Sequence, residues 1–119
     1  MTQDIRKVVE LTINEGRLDE FKQVANEFIQ RVESSEPDTV SYEWFLDADG
    51  NKCYILEWYK DSQALLAHLD NIRDLYEPLF KVSHLTRIEV FGNPSLKVRQ
   101  AHLPGTKFFD YWAGIRREV

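Results

Sequence analysis

The chain has one cysteine, Cys53, in 119 residues. A lone thiol excludes an intramolecular disulfide and any metal site built on paired thiolates. Set inside a strand-like run, Cys53 reads as a small buried apolar residue. Basic residues are also scarce: 15 Lys and Arg stand against 20 Asp and Glu, for a net charge of −5. A nucleic-acid surface needs a concentrated basic face, and Arg116-Arg117 is too small a cluster to supply one. No apolar run approaches the roughly 18 residues that span a bilayer, and the Met-Thr-Gln-Asp-Ile-Arg-Lys start lacks the apolar core of a secretory signal. A cytoplasmic protein with no membrane or nucleic-acid partner is expected. A Gly-rich phosphate loop, a nucleophile elbow and a His/Asp/Glu spacing suited to a metal are all missing, which removes nucleotide-dependent and hydrolase readings. His84 and His102 read as ordinary polar residues.

What is present is one domain's length of chain with legible changes of period. Ile5 to Ile13 alternates, with Lys7, Val9, Leu11 and Ile13 on one face and Arg6, Val8, Glu10 and Thr12 on the other, and predicts a first strand. From Arg17, the residues Leu18, Phe21, Val24, Ala25, Phe28, Ile29 and Val32 recur at helical spacing. Ser34-Ser35-Glu36-Pro37-Asp38 ends that helix, because the residue before a proline avoids helical dihedrals. Val40 to Leu46 predicts a second strand, with Val40, Tyr42, Trp44 and Leu46 on one face and Ser41, Glu43 and Phe45 on the other. Its Asp49-Gly50 step predicts a hairpin into a third strand, Tyr54 to Tyr59.

Asp61 is a good N-cap, and Leu65, Leu66, Leu69 and Ile72 predict a helix from Ser62. Asp74 to Val82 is a further helical piece that bends or begins near Pro78. His84 to Phe91 is a fourth strand, and Ser95 to Ala101 a short helix. The tail carries Phe108, Phe109, Tyr111, Trp112 and Ile115, an aromatic density that something must cover.

This β-α-β-β-α-β order is the ferredoxin-like unit of the α+β class, a four-stranded antiparallel sheet with both helical crossovers on one side. Tyr42 and Trp44 oppose Phe45, and Leu56 and Trp58 oppose Ile55 and Tyr59, so the sheet is apolar on both faces and has to be covered twice. A homodimer packed sheet to sheet, with the tail reaching over the join, is expected.

Three runs then matter together: Val9 to Phe21, Glu36-Pro37-Asp38-Thr39-Val40-Ser41-Tyr42-Glu43, and Glu57-Trp58-Tyr59 followed by Ala64-Leu65-Leu66-Ala67-His68-Leu69. In order and spacing, from about Ile5 to Gly92, they resemble the antibiotic biosynthesis monooxygenase domain, in particular its quinol-monooxygenase-like branch. The resemblance implies a dimeric α+β barrel with a cavity between sheet and helices. It also implies oxygenation of a small aromatic, phenolic or quinol substrate without flavin, haem or metal. It divides the chain into an ABM-like ferredoxin-fold domain, 1–93, and a C-terminal extension, 94–119, packed on the domain or on the dimer partner. The haem-degrading enzymes of the same superfamily carry Asn, Trp and His where this chain has Val9, His68 and Pro78, so haem degradation is not expected.

Glu57, near the end of its strand, and His68, on the following helix, are the ionisable groups best placed to reach one pocket. An imidazole titrates near neutrality and suits deprotonation of a phenol. Glu57 would orient it, or serve as the base itself if burial raises its proton affinity. Tyr42, Trp44, Trp58, Tyr59 and Tyr76 are candidate pocket walls or hydrogen-bond donors; the pattern leaves open which sheet face lines the cavity. Structural readings stand beside these: His68 capping a core, Glu57 paired with Lys7, Arg87 or a partner subunit, the aromatics as core or dimer contacts. Two other functions fit the same architecture, a non-catalytic small-molecule binding or stress-response protein, and an isomerase or decarboxylase using His68 as general base.

Overall fold

Alternation in β1 (Ile5–Ile13) puts Ile5, Lys7, Val9, Leu11 and Ile13 on one buried face, and the helices are laid over it. The computed structural model describes residues 3–117. Helix α1 (Leu18–Ser35) buries Phe21, Ala25, Phe28 and Val32, one residue per turn, and closes where Glu36 N–H bonds Val32 O at 3.0 Å. Strands β2 (Thr39–Leu46) and β3 (Lys52–Tyr59) form the expected hairpin. Its turn is held by Asp47 Oδ1, which accepts from Asn51 N at 2.9 Å and Lys52 N at 3.1 Å, with Gly50 at φ +69°, a dihedral open to glycine at no steric cost.

Helix α2 (Ser62–Asn71) is capped by Asp61, whose carboxylate accepts from Ala64 N at 2.9 Å. A 3₁₀ turn, Arg73–Leu75, leads into α3 (Tyr76–Val82). Pro78 therefore falls in the first turn of a helix, where its missing N–H costs nothing. Strand β4 (Ser83–Phe91), α4 (Leu96–Ala101) and β5 (Lys107–Phe109) complete the order.

The sheet runs β2-β3-β1-β4-β5. The first four strands are antiparallel neighbours and form the ferredoxin-like unit; β5 adds parallel to β4, with Val90 opposite Phe108. The four-stranded sheet read from the sequence is thus five-stranded. Part of the aromatic tail forms the extra strand: Gly92 N–H bonds Phe109 O at 2.9 Å, and the Phe91 and Phe109 rings stack with centroids 5.2 Å apart. Val40, expected on the face of Tyr42, sits instead in a bulge between Thr39 and Ser41 and is exposed.

Two apolar clusters fill the helix side. One joins Val9, Leu11 and Ile55 to Phe21, Phe28, Ile72 and Leu79. The other joins Ile5, Tyr59, Leu65 and Val90 to Val98 of α4. The opposite sheet face keeps Phe45 and Leu56 exposed, and beyond β5 Trp112 and Ile115 stand 94% and 76% exposed. Among the described residues no helix is long and apolar enough to cross a membrane.

Candidate active site

Between the sheet and the helices lies a cavity of about 490 Å³, walled by Val9 and Leu11 of β1, Tyr42 of β2, Ile55 and Glu57 of β3, His68 of α2 and Tyr76 of α3, with Ala101, His102 and Leu103 closing one end. Register explains which side chains face it. Tyr42 pairs with Glu57 and Trp44 with Ile55, and directly opposed residues share a face. Tyr42, Trp44, Ile55, Glu57 and Tyr59 are accordingly on the helix side, and Phe45, Leu56 and Trp58 on the other.

His68 is 1% exposed. Its Nδ1 lies 2.9 and 3.1 Å from the two carboxylate oxygens of Glu36, the residue that follows α1. Glu36 also accepts from Thr39 Oγ1 and from Asn71 Nδ2, each at 2.7 Å. Burial by itself would raise the Glu36 carboxyl, but the bonds from His68, Asn71 and Thr39 outweigh it and hold the group below its ordinary value. A carboxylate can only accept, so the network assigns the hydrogen to Nδ1. In the neutral tautomer the lone pair is then on Nε2, the nitrogen turned toward Glu57 of the cavity wall. Nε2 is 3.7 Å from Glu57 Oε1, and that oxygen accepts a hydrogen bond from the Tyr59 hydroxyl.

The rings of Tyr42 and Tyr59 pack on the imidazole at 5.0 and 5.2 Å. Burial, then the charge of Glu57, raises both phenols well above their ordinary range and pushes Tyr76 to about 12. All three are therefore hydrogen-bond donors at neutral pH.

Lys7 is the cross-strand partner of Glu57 and is 5% exposed. Its Nζ is 3.0 Å from His102 Nε2, while His102 Nδ1 donates to Val98 O at 2.7 Å. Burial lowers the Lys7 amine, with Glu57 acting in the opposite direction. Burial and the nearby Lys7 charge push His102 down to about 4.

Of the residues expected in the pocket, His68, Glu57, Tyr42 and Tyr76 line the cavity. Tyr59 stands behind His68 and Glu57. Trp44 packs between Phe21 and Phe28, at 6.0 and 5.5 Å, in the core under α1. Trp58 lies on the opposite sheet face, donating to Asp4 Oδ2 at 2.7 Å with the Arg6 guanidinium 4.4 Å from its ring. The carboxylate bonded to Nδ1 is Glu36, where Glu57 was expected to orient the imidazole. Arg87, a suggested partner of Glu57, reaches Glu10 and Glu89 instead. Glu36, Lys7 and His102 were not among the expected site residues: Lys7 was named as a structural partner of Glu57, which it does face across the β1–β3 register, and His102 as an ordinary polar residue. Lys7 did carry a signal, a lysine on the apolar face of β1; His102 carried none, since its position depends on the extension folding back. Among the described residues no group of three or more His, Cys, Asp or Glu side chains is arranged to hold a metal ion.

Comparison with known proteins bears on this site. Residues 4–82 match the family model described as antibiotic biosynthesis monooxygenase. No curated protein sequence matches the chain. Among solved structures, MupZ from Pseudomonas fluorescens is 27% identical with a TM-score of 0.84, over 98% of this chain and 91% of that one. SnoaB from Streptomyces nogalater, a cofactor-independent oxygenase, is 16% identical with a TM-score of 0.67, over 79% and 96%. A conserved protein from Methanosarcina mazei is 18% identical with a TM-score of 0.62, over 73% and 91%. The last two likenesses speak for the fold. The match to the family model covers well over half of the chain, which therefore belongs to the antibiotic biosynthesis monooxygenase family.

Proposed function

We propose that the protein is a monooxygenase that oxidises a small phenolic or quinol substrate with molecular oxygen, using no flavin, haem or metal, with His68 as general base. One observation carries this reading: a buried imidazole in the wall of an apolar cavity, fixed through Nδ1 by Glu36 and with Nε2 turned toward Glu57 of the same wall. A base needs its acceptor nitrogen free and its orientation held, and a carboxylate on the other nitrogen supplies both while offsetting the imidazolium that forms. Family membership supports the same reaction type.

The steps balance without a further electron donor. Nε2 takes a proton from a substrate hydroxyl, and the electron-rich anion passes electrons to oxygen until a carbon–oxygen bond forms as a peroxide anion, which takes that proton back from Nε2 to become a hydroperoxide. Nε2 then removes the proton on the oxidised carbon as the O–O bond breaks and the outer oxygen leaves as hydroxide; hydroxide and that proton make one water, and the carbon is left as a carbonyl. The walls of Val9, Leu11, Ile55, Leu79 and Ile88 keep bulk water from the anion, and the Tyr42 and Tyr76 hydroxyls are donors for substrate oxygens. The exposed outer sheet face, with Phe45 and Leu56, is covered by a second copy in a homodimer.

Oxygen uptake by metal-free, flavin-free protein with a panel of hydroquinones and polyphenols tests the reading. Uptake above the autoxidation blank, lost in His68→Ala, is expected. Equal rates in the two proteins remove His68 from the mechanism, and no uptake with any substrate favours a binding protein on the same fold.

A further inference from the structure

A lysine on the apolar face of a central strand is costly, because an amine taken from water must be paired. Lys7 sits between Ile5 and Val9 in β1 at 5% exposure, and proton abstraction by His68 does not use it. Its one hydrogen-bond partner among the described residues is His102 Nε2 at 3.0 Å. The direction of that bond is set: His102 Nδ1 donates to Val98 O, so Nε2 accepts and Lys7 donates. Glu57 stands opposite Lys7 in the β1–β3 register but spends Oε1 on the Tyr59 hydroxyl, and the two make no ion pair. The ammonium form of Lys7 thus has two donors left over, and Lys7 belongs to the cavity wall. Buried donors are almost always satisfied, and an oxygen of the ligand is the acceptor this geometry lacks.

We infer that Lys7 and His102 form an oxyanion subsite of the cavity, which binds an acidic phenol or enol as its anion with the charged oxygen on Lys7 Nζ. For its chemistry, though not for binding, this rests on the reading of His68 as the base: the substrate presents one ionised oxygen to Lys7 and a second acidic proton to His68. The Lys7 ammonium donates to the ligand's ionised oxygen, so that binding favours ArO⁻ over ArO–H and the ligand's proton passes to the buffer. His102 remains the neutral acceptor that holds Nζ in position. Ala101 and Leu103 flank it at the same end of the cavity. This end of the pocket therefore comes from the C-terminal extension, beyond the residues 4–82 matched to the family model. Selection among substrates is partly written there.

The experiment uses 4-nitrophenol, which absorbs in the visible only as its anion, titrated into the full chain at a mildly acidic pH where the free probe is mostly protonated. Wild type is expected to bind the probe and ionise it. Lys7→Met, close in shape but uncharged, is expected to weaken binding of the anion about tenfold or more, the scale of a charged hydrogen bond, and to leave any bound probe colourless. His102→Phe should act in the same direction, whereas His102→Gln, which keeps an acceptor, and His68→Ala should keep the visible band. Lys7→Met should unfold at or above the wild-type temperature, since it removes a buried charge; if it fails to fold, His102→Phe against His102→Gln decides. Anion binding by Lys7→Met as tight as wild type overturns the inference, as does a wild type that binds no probe or leaves it protonated. Absent oxygen uptake with the probe still ionised removes the oxygenase reading and keeps the subsite; uptake with no ionisation does the reverse.

Discussion

Glu36 holds the imidazole of His68 from across a gap of 32 residues, with both carboxylate oxygens within 2.9 and 3.1 Å of Nδ1. The carboxylate is itself fixed by Thr39 and Asn71, so the imidazole's orientation is set by the junction between α1 and β2. Glu36→Gln keeps an oxygen that accepts from Nδ1–H but removes the charge that offsets the imidazolium. It is expected to lower kcat for oxygen uptake about ten- to a hundredfold, within the range of general-base effects, with a smaller change in KM. Asn71→Ala should lower kcat less. Steady-state kinetics check this, and an unchanged kcat in Glu36→Gln would remove Glu36 as the positioning residue.

On the opposite face, Glu10 gives a pH prediction that leaves the cavity untouched. It accepts from the Tyr54 hydroxyl, from Thr86 Oγ1 at 2.7 Å and from Lys52 Nζ at 3.2 Å. Chiefly through the Tyr54 and Thr86 bonds, its carboxyl is held at about 2 against an ordinary 4.5. The folded state thus binds the proton less readily than the unfolded one. The stability Glu10 contributes is complete above about 4.5 and drains away as pH falls toward 2. Denaturant unfolding of wild type and Glu10→Gln should show a stability gap near neutrality that narrows through this window. A gap of constant size would contradict it.

The elements were legible because each buries one stripe or one face: the run from Leu18 to Val32 had to be a helix, and the alternation from Ile5 to Ile13 a strand. What pattern alone could not supply was register. Alternation placed Trp58 opposite Tyr59 without saying which pointed inward; the pairing of Tyr42 with Glu57 resolves it. Strand β5 escaped for a related reason, since Lys107-Phe108-Phe109 is too short to show a period and forms on the edge that β4 offers. In the site, His68 and Glu57 could be read from a strand that runs directly into a helix. Glu36 could not, because locally it is a helix terminus before a proline and its bond to His68 exists only in the folded chain.

Leu56, at 41% exposure, and Phe45, at 49%, share the outer sheet face, and a monomer would leave that surface in water. A second copy packed on it would bury both, with the exposed Trp112 and Ile115 as additional cover. Wild type is expected to sediment as a dimer. Leu56→Glu, which puts a charge into that interface, should give a folded monomer at the same concentration, shown by unchanged circular dichroism. A wild type that remains monomeric at every concentration would sink the dimer, and with it the second cover for the sheet.

The extension is joined to the domain by a buried residue as well as by the Lys7–His102 bond. Val98 of α4 is 0% exposed, packed with Ile5, Tyr59, Leu65 and Val90. α4 is only six residues long, too short to persist without tertiary contacts. Val98→Ala should therefore cost roughly 1.5–3 kcal/mol, from lost burial and the cavity left behind. It should also loosen the end of the cavity formed by His102. The expected signature is a lower denaturant midpoint together with weaker retention of aromatic ligands, while oxygen-uptake kcat at saturating substrate falls less than affinity does. Were Val98→Ala as stable as wild type, α4 would be a loosely attached appendage, and the cavity would have to be defined without Ala101, His102 and Leu103.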